Sequence, residues 1–197
     1  MKRLVLILPL LLLAACSSSS TGKVKRNTTP TFEQFVASPT YAMSGDFWRG
    51  EAIKQTDPKN SKVIILLDEQ RGRLYIGGQI AMDFPVCTGK ENTHETPTGK
   101  YRISQKVEDH RSSIYGSFVD DAGKIVEGGI RSSDKRPAGT HYRGASMPYW
   151  MRFNGSIGIH EGDVWRKSSS HGCVRVPTEV AEILFEKMAL GSVVEVR

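Results

Sequence analysis

The sequence predicts a mainly β (α+β) domain on three observations. β-Branched apolar runs recur from Lys62 to His160, a Gly-Gly pair separates two of them, and one segment near the C-terminus has helical apolar spacing. "KVIILLD", starting at Lys62, reads as a strand because β-branched side chains fit a pleated, half-buried surface. "RLYIGGQIAMDFPVCTG" gives two more strands around Gly77-Gly78, a two-residue turn whose backbone matches hairpin twist. "TPTGKYRIS" at 96–104 adds a strand behind a Pro/Gly turn, and "SIGIH" at 156–160 adds another. The one predicted helix has Thr178 as N-cap, Glu179 and Glu182 in its first turn, and Gly191 as its stop. Its Val180, Ile183, Leu184 and Met188 share a face, and "SVVEVR" closes the chain as a strand.

At 197 residues and 39% hydrophobic positions, the chain suits one domain with accessories, taking roughly 100–200 residues per domain. Residues 1–15, "MKRLVLILPLLLLAA", place two charges ahead of an apolar run from Leu4 to Ala15. That run is shorter than the ~20 residues a membrane-spanning helix needs, and it fits the centre of an export signal. Leu13-Ala14-Ala15-Cys16 resembles the lipobox of bacterial lipoproteins, so 1–15 is expected to be a lipoprotein signal peptide and Cys16 the lipidated residue. Residues 16–31, polar and Ser/Thr-rich, read as the lipidated tether. This places the protein in the bacterial cell envelope, anchored to the inner or outer membrane through Cys16 and facing the periplasm.

Residues 32–61 scatter Phe32, Phe35, Tyr41, Phe47 and Trp48 among Gly, Pro and Asp, and are expected to form an N-terminal segment wrapped on the main domain at 62–197. Removing Lys2 and Arg3 from 27 Lys+Arg leaves 25 against 21 Asp+Glu, a net +4. A mild excess of this kind suits an anionic polymer, and without a concentrated basic run it argues against nucleic acid as partner. Residues 105–148, rich in Gly, Ser, Asp and Arg, exceed the loop length a compact domain needs and read equally as a substrate wall or a surface excursion.

The chemistry concentrates in "RKSSSHGCVRVP" at 166–177, where Cys173 could be a nucleophile, a metal ligand or a buried thiol. If Cys16 is lipidated, Cys87 and Cys173 remain, and since a disulfide would silence a catalytic Cys173, two free thiols are expected. A thiol becomes nucleophilic when an imidazole takes its proton, and His160, at the end of a strand, is held to do so. His171 would point to the same side as Cys173 and shape the pocket or bind substrate. Gly172 gives a substrate carbonyl room to approach, and the N–H groups of 172 and 173 are candidate oxyanion donors. Ser170 is placed to orient a histidine, and Arg175 to face the same side as Cys173 and meet a substrate carboxylate.

Tyr149 and Trp150, with Tyr142 and Met147, could wall the site or be strand core. His94 and His110 sit in polar stretches and are expected to be solvated, whereas His141 lies nearer the site. Cys87 is expected to face the core as a small apolar residue. A zinc site built from His160, His171 and Cys173 lacks an evident fourth ligand, His141 and Glu161 being the options. A papain-type peptidase is disfavoured because its cysteine precedes its histidine.

"SSHGCVRVP" with the upstream "GIHEG" resembles the L,D-transpeptidase family, the YkuD-type catalytic domain. "FPVCTGKENTHETPTGKYRI" and "MPYWMRFNGSIGIHEGDVWRKSSSHGCVRVP" extend the resemblance from about Lys62 to Arg197. The resemblance implies a mixed β-sheet sandwich with one or two helices, no cofactor or metal, and a monomer acting on peptidoglycan stem peptides. It also implies that Cys173 attacks the amide between a diamino acid's L-centre and a terminal D-residue, with His160 as base. An amine of a second stem peptide or of an anchored protein would resolve the thioester; water would make the enzyme an L,D-carboxypeptidase, and carbapenems would acylate it. The chain departs from many members in its short His-to-Ser spacing and in Cys87, where they carry serine or threonine. The other class kept open is a non-catalytic peptidoglycan-binding lipoprotein.

Overall fold

The computed structural model describes residues 29–54 and 58–197; the expected signal peptide, Cys16 and most of the expected tether lie outside the described residues. Two mixed sheets face each other across one core. The first, in spatial order, holds β1 (Phe47–Trp48), β4 (Gln79–Pro85), β3 (Arg71–Ile76), β2 (Ser61–Leu66), β11 (Val193–Val196) and β5 (Gly99–Arg102). The second holds β10 (Val174–Val176), β9 (Ile157–Glu161), β8 (His141–Asn154), β6 (Gln105–Val119) and β7 (Ile125–Arg131). β11 runs parallel to β2 and β10 parallel to β9, while the other pairs are antiparallel. This is the mixed sandwich the resemblance implies, whereas the hairpin signals alone pointed to antiparallel pairing.

The strand runs read from sequence supply the core. Val63 and Ile65 of β2, Leu74 and Ile76 of β3, Ile159 of β9 and Val174 and Val176 of β10 are each fully buried. Gly77 and Gly78 form the β3–β4 turn at φ 56° and 81°, the positive values that a two-residue hairpin turn requires. Helix α3 (Thr178–Lys187) lays Val180, Ala181 and Leu184 into the core against β8 and β9, the valine and leucine each contributing about 1.5–3 kcal/mol by burial.

Two details of α3 differ from the sequence reading. Pro177, not Thr178, is the N-cap, and the Thr178 hydroxyl donates to Glu161 Oε1. The helix ends at Lys187, where Met188 turns extended, and Lys106 Nζ reaches across from β6 to donate to the Phe185 and Met188 carbonyls.

The N-terminal segment is more ordered than its pattern suggested. α1 (Phe32–Val36) opens on a Thr31/Gln34 capping box, α2 (Gly50–Lys54) follows β1, and β1 adds itself to the edge of β4. These helices are five residues each, too short to show a period. Phe35 packs on Phe47 at 5.3 Å and on Tyr41 at 5.5 Å. Beneath them the fully buried Arg71 guanidinium donates to Asp83 and to the carbonyls of Ser44 and Gly45. Arg73 and the Tyr41 hydroxyl both donate to the other Asp83 oxygen, and burial pushes the Tyr41 phenol up to about 12.

The segment 105–148, read as loop, is instead β6, β7 and the first part of β8. Most of its residues are solvated on both faces, so no apolar alternation marks the strands. Its hairpin bends where Gly116 and Gly144 sit so close to the opposite backbone that a Cβ would fall 2.3 Å from Arg143 O and 2.0 Å from Ser112 O.

Candidate active site

The parallel register of β9 and β10 assembles the site. His160 lies opposite Arg175, and Cys173, two residues before Arg175 on an extended chain, projects to the same side. A cavity of about 310 Å³ opens in front of them. His160, Arg175, Cys173, Ser170 and His171 line one side, and Ser112, Ile114, Tyr115, Ser146 and Met147 of the β6–β8 hairpin line the other. The polar segment is therefore a wall of the cavity.

His160 is 6% exposed, and its Nδ1 lies 2.6 Å from the Glu161 carbonyl. A carbonyl only accepts, so Nδ1 carries the hydrogen and Nε2 keeps a free lone pair. Burial pushes this imidazole down to about 4, with the Arg175 and His110 charges adding to the effect and the Glu161 carbonyl opposing it. Burial also pushes the Cys173 thiol up, against the Gly158 backbone hydrogen bond and the Arg175 charge. At neutral pH the pair thus rests as a neutral base and a neutral thiol, the thiol donating to the Ser156 carbonyl at 3.8 Å. For His160 to take the thiol's proton, Sγ would have to leave that carbonyl, a tightening that ligand binding commonly drives.

The loop carrying Cys173 is laced to residues 87–90. Arg175 N donates to Cys87 O and Cys87 N to Arg175 O; Ser169 and Ser170 both donate to Thr88 O, and Lys90 N donates to Ser170 O. Ser170 itself, 3% exposed, donates to the Cys173 carbonyl and accepts from Gly172 N–H.

The L,D-transpeptidase catalytic domain profile (YkuD) matches residues 60–196, most of the chain. The chain belongs to the L,D-transpeptidase catalytic domain family. Similar solved structures include an L,D-transpeptidase from Stackebrandtia nassauensis, at 22% identity and TM-score 0.50, covering 73% of this chain and 58% of that one. Another, from Mycobacterium smegmatis, is 14% identical with TM-score 0.52 and covers 70% of this chain and 58% of its own. A third, solved in complex with imipenem, is 16% identical with TM-score 0.50 and covers 70% and 59%. At these identities the likeness concerns the fold, and the chain spans about three fifths of the length of these structures. A search of curated proteins finds no match.

Within this L,D-transpeptidase domain, His160, Cys173, Arg175, Ser170 and His171 meet at one cavity. His171 stacks on Tyr115 at 4.1 Å and meets the edge of His94 at 4.7 Å. Burial pushes its imidazole down, with cationic neighbours adding to the effect. Ser170 holds the Cys173 backbone rather than a histidine, and it occupies the Gly172 N–H that was read as an oxyanion donor.

Tyr149 and Trp150 do not line the cavity. The Tyr149 hydroxyl donates to Glu182 of α3 and its ring meets Phe185, while Trp150, 1% exposed, sits behind His160 at 6.0 Å. Neither His94 nor His110 is merely solvated, since His110 stacks on Trp150 at 4.9 Å. His141 is exposed and Tyr142 donates to Ser112 O, so only Met147 of that group reaches the cavity.

Cys87 and Cys173 are both free thiols. Cys87 is fully buried, with its sulfur 3.1 Å from Ser169 Oγ. Among the described residues no three His, Cys, Asp or Glu side chains converge as a metal site, and no helix is long and apolar enough to cross a membrane. Tyr115 and Asp163 line the cavity without having been singled out in the sequence, because neither belongs to the motif around Cys173 or to a regular apolar period.

The buried imidazole gives a pH test. An NMR titration is expected to find His160 half-protonated near pH 4 instead of near the ordinary 6.5. Because the folded-state value is depressed, the stability from burying neutral His160 is fully present above about pH 6.5 and is lost as pH falls toward 4. A midpoint near 6.5 would mean that the ring is solvated.

Proposed function

We propose that the protein is a peptidoglycan L,D-transpeptidase with Cys173 as nucleophile and His160 as base. The reading is carried by the shared face of β9 and β10, which brings a buried neutral imidazole, a thiol and Arg175 to one cavity. The Cys173 sulfur attacks the stem-peptide carbonyl and its proton passes to His160. The C–N bond then breaks, and His160 returns the proton to the leaving D-residue amine. A second amine attacks the thioester, loses its proton to His160 and releases the thiolate, which recovers a proton from the imidazolium. Two easier acyl exchanges replace one difficult one, without ATP.

Among the described residues no carboxylate pairs with the Arg175 guanidinium, which suits it to a substrate carboxylate. His171 and Tyr115 shape the donor's seat, and likeness to a fold solved with imipenem supports carbapenem acylation of the same thiol. The sequence Leu13-Ala14-Ala15-Cys16 supports export and lipid anchoring, with the domain facing the periplasm.

Mass spectrometry of the protein after incubation with purified muropeptide donors tests the reading. A donor-sized adduct on Cys173, with release of the D-amino acid, is expected. Its absence across all donors removes the enzyme reading in favour of non-catalytic binding, and thioester turnover by water alone makes the enzyme an L,D-carboxypeptidase.

A further inference from the structure

The "TPTG" stretch at 96–99 takes part in none of the steps above, yet Thr96 is buried against the catalytic loop with 3% of its surface exposed. Its hydroxyl accepts from Gly89 N–H at 2.9 Å and donates to the Gly172 carbonyl, 76 residues along the chain, at 2.8 Å. Its anchorage is stiff on both sides. Pro97 confines the Thr96 backbone to extended conformations. At Gly89 a Cβ would fall 2.0 Å from His94 O and 2.7 Å from Thr96 N, so the two arms of this loop touch backbone to backbone.

The Gly172 carbonyl belongs to the same planar trans peptide as the Cys173 N–H, and in such a peptide C=O and N–H point in opposite directions. Fixing the carbonyl therefore fixes the amide. Gly172 sits at φ +107°, where no Cβ restricts rotation of that plane, so the direction must be set from outside the residue. Of the two amides that could receive an oxyanion at this motif, Gly172 N–H is occupied by Ser170 Oγ.

We propose that Thr96 is a positioning residue that aims the Cys173 N–H at the oxyanion formed when the thiol attacks. The proposal rests on the acyl-transfer reading above. It assigns the hydroxyl of the first threonine in "TPTG" a role in stabilising the transition state without contact to substrate.

Two rates on the intact chain separate this role from a general loosening of the fold. Alkylation of Cys173 by iodoacetamide needs the thiol and its base but no oxyanion donor; acylation by a muropeptide donor needs all three. Thr96→Val is expected to leave alkylation, located at Cys173 by peptide mass, within about twofold, and to slow single-turnover acylation about 10²-fold. Thr96→Ser, which restores the hydroxyl, is expected to recover acylation. If the valine disturbs folding, Thr96→Ala gives the same ratio of rates. Equal loss of both rates, or acylation unchanged in the variants, overturns the proposal. A parent protein that alkylates normally but acylates with no donor overturns the acyl-transfer reading itself, and the proposal with it.

Discussion

Cys173→Ala is expected to lower acyl transfer by at least about 10⁴-fold while leaving the thermal midpoint within a few degrees of the parent. The loss is large because, on the proposed acyl-transfer reading, the thiol is the group that forms the intermediate, and no nearby group replaces it. Ser170 Oγ is committed to the Cys173 carbonyl, and Cys87, although next to the motif through its pairing with Arg175, is fully buried. The fold barely changes because Cys173 stands at the cavity edge, ahead of the buried Val174 and Val176 that anchor β10. Muropeptide binding should persist, since Arg175, His171 and the hairpin wall remain. Retention of full activity in the alanine variant would exclude covalent catalysis. Loss of activity together with loss of folding would show that the thiol is structural.

Asp83→Ala is expected to cost about 3–5 kcal/mol in urea unfolding, without any contact to the cavity. Asp83 is fully buried between two guanidiniums, Arg71 at 2.7 Å and Arg73 at 2.8 Å, with the Tyr41 hydroxyl at 2.9 Å. Removing it leaves Arg71 charged, dry and deprived of its carboxylate, since that side chain cannot shed its proton. The same guanidinium holds the carbonyls of Ser44 and Gly45, so the N-terminal segment should loosen first. Earlier proteolysis within residues 31–54 is the local signature. A cost under about 1 kcal/mol would mean that water enters and solvates Arg71.

The site was legible in the sequence where side chains follow simple spacing. His160 closes an apolar strand, and Cys173 and Arg175 alternate on an extended chain, so their common face could be read before the fold was known. Tyr149, readable from sequence as site wall or strand core, leaves the cavity because it adopts φ +56°, which breaks the two-residue alternation with Met147 along β8 and turns the ring toward α3. The β6–β8 hairpin was invisible as strand for a different reason: apart from a few buried side chains such as Phe118, Val119 and Ile130, its residues are at least partly solvated, so no sustained apolar alternation marks it. α1 and α2 escaped because helices this short hold only through tertiary contacts, the Phe35–Phe47 pair for α1 and packing of the buried Ala52 against β4 for α2.

The strands that carry His160 and Cys173 are held by pairing between β9 and β10 and by the 87–90 strip, with Gly162 N–H donating to the Val176 carbonyl. Beyond Gly162 the connecting chain is tied by Arg166, which donates to the Ala42 carbonyl of the N-terminal segment. The register of β9 with β10, and not the length of residues 163–168, therefore sets the spacing between His160 and Cys173.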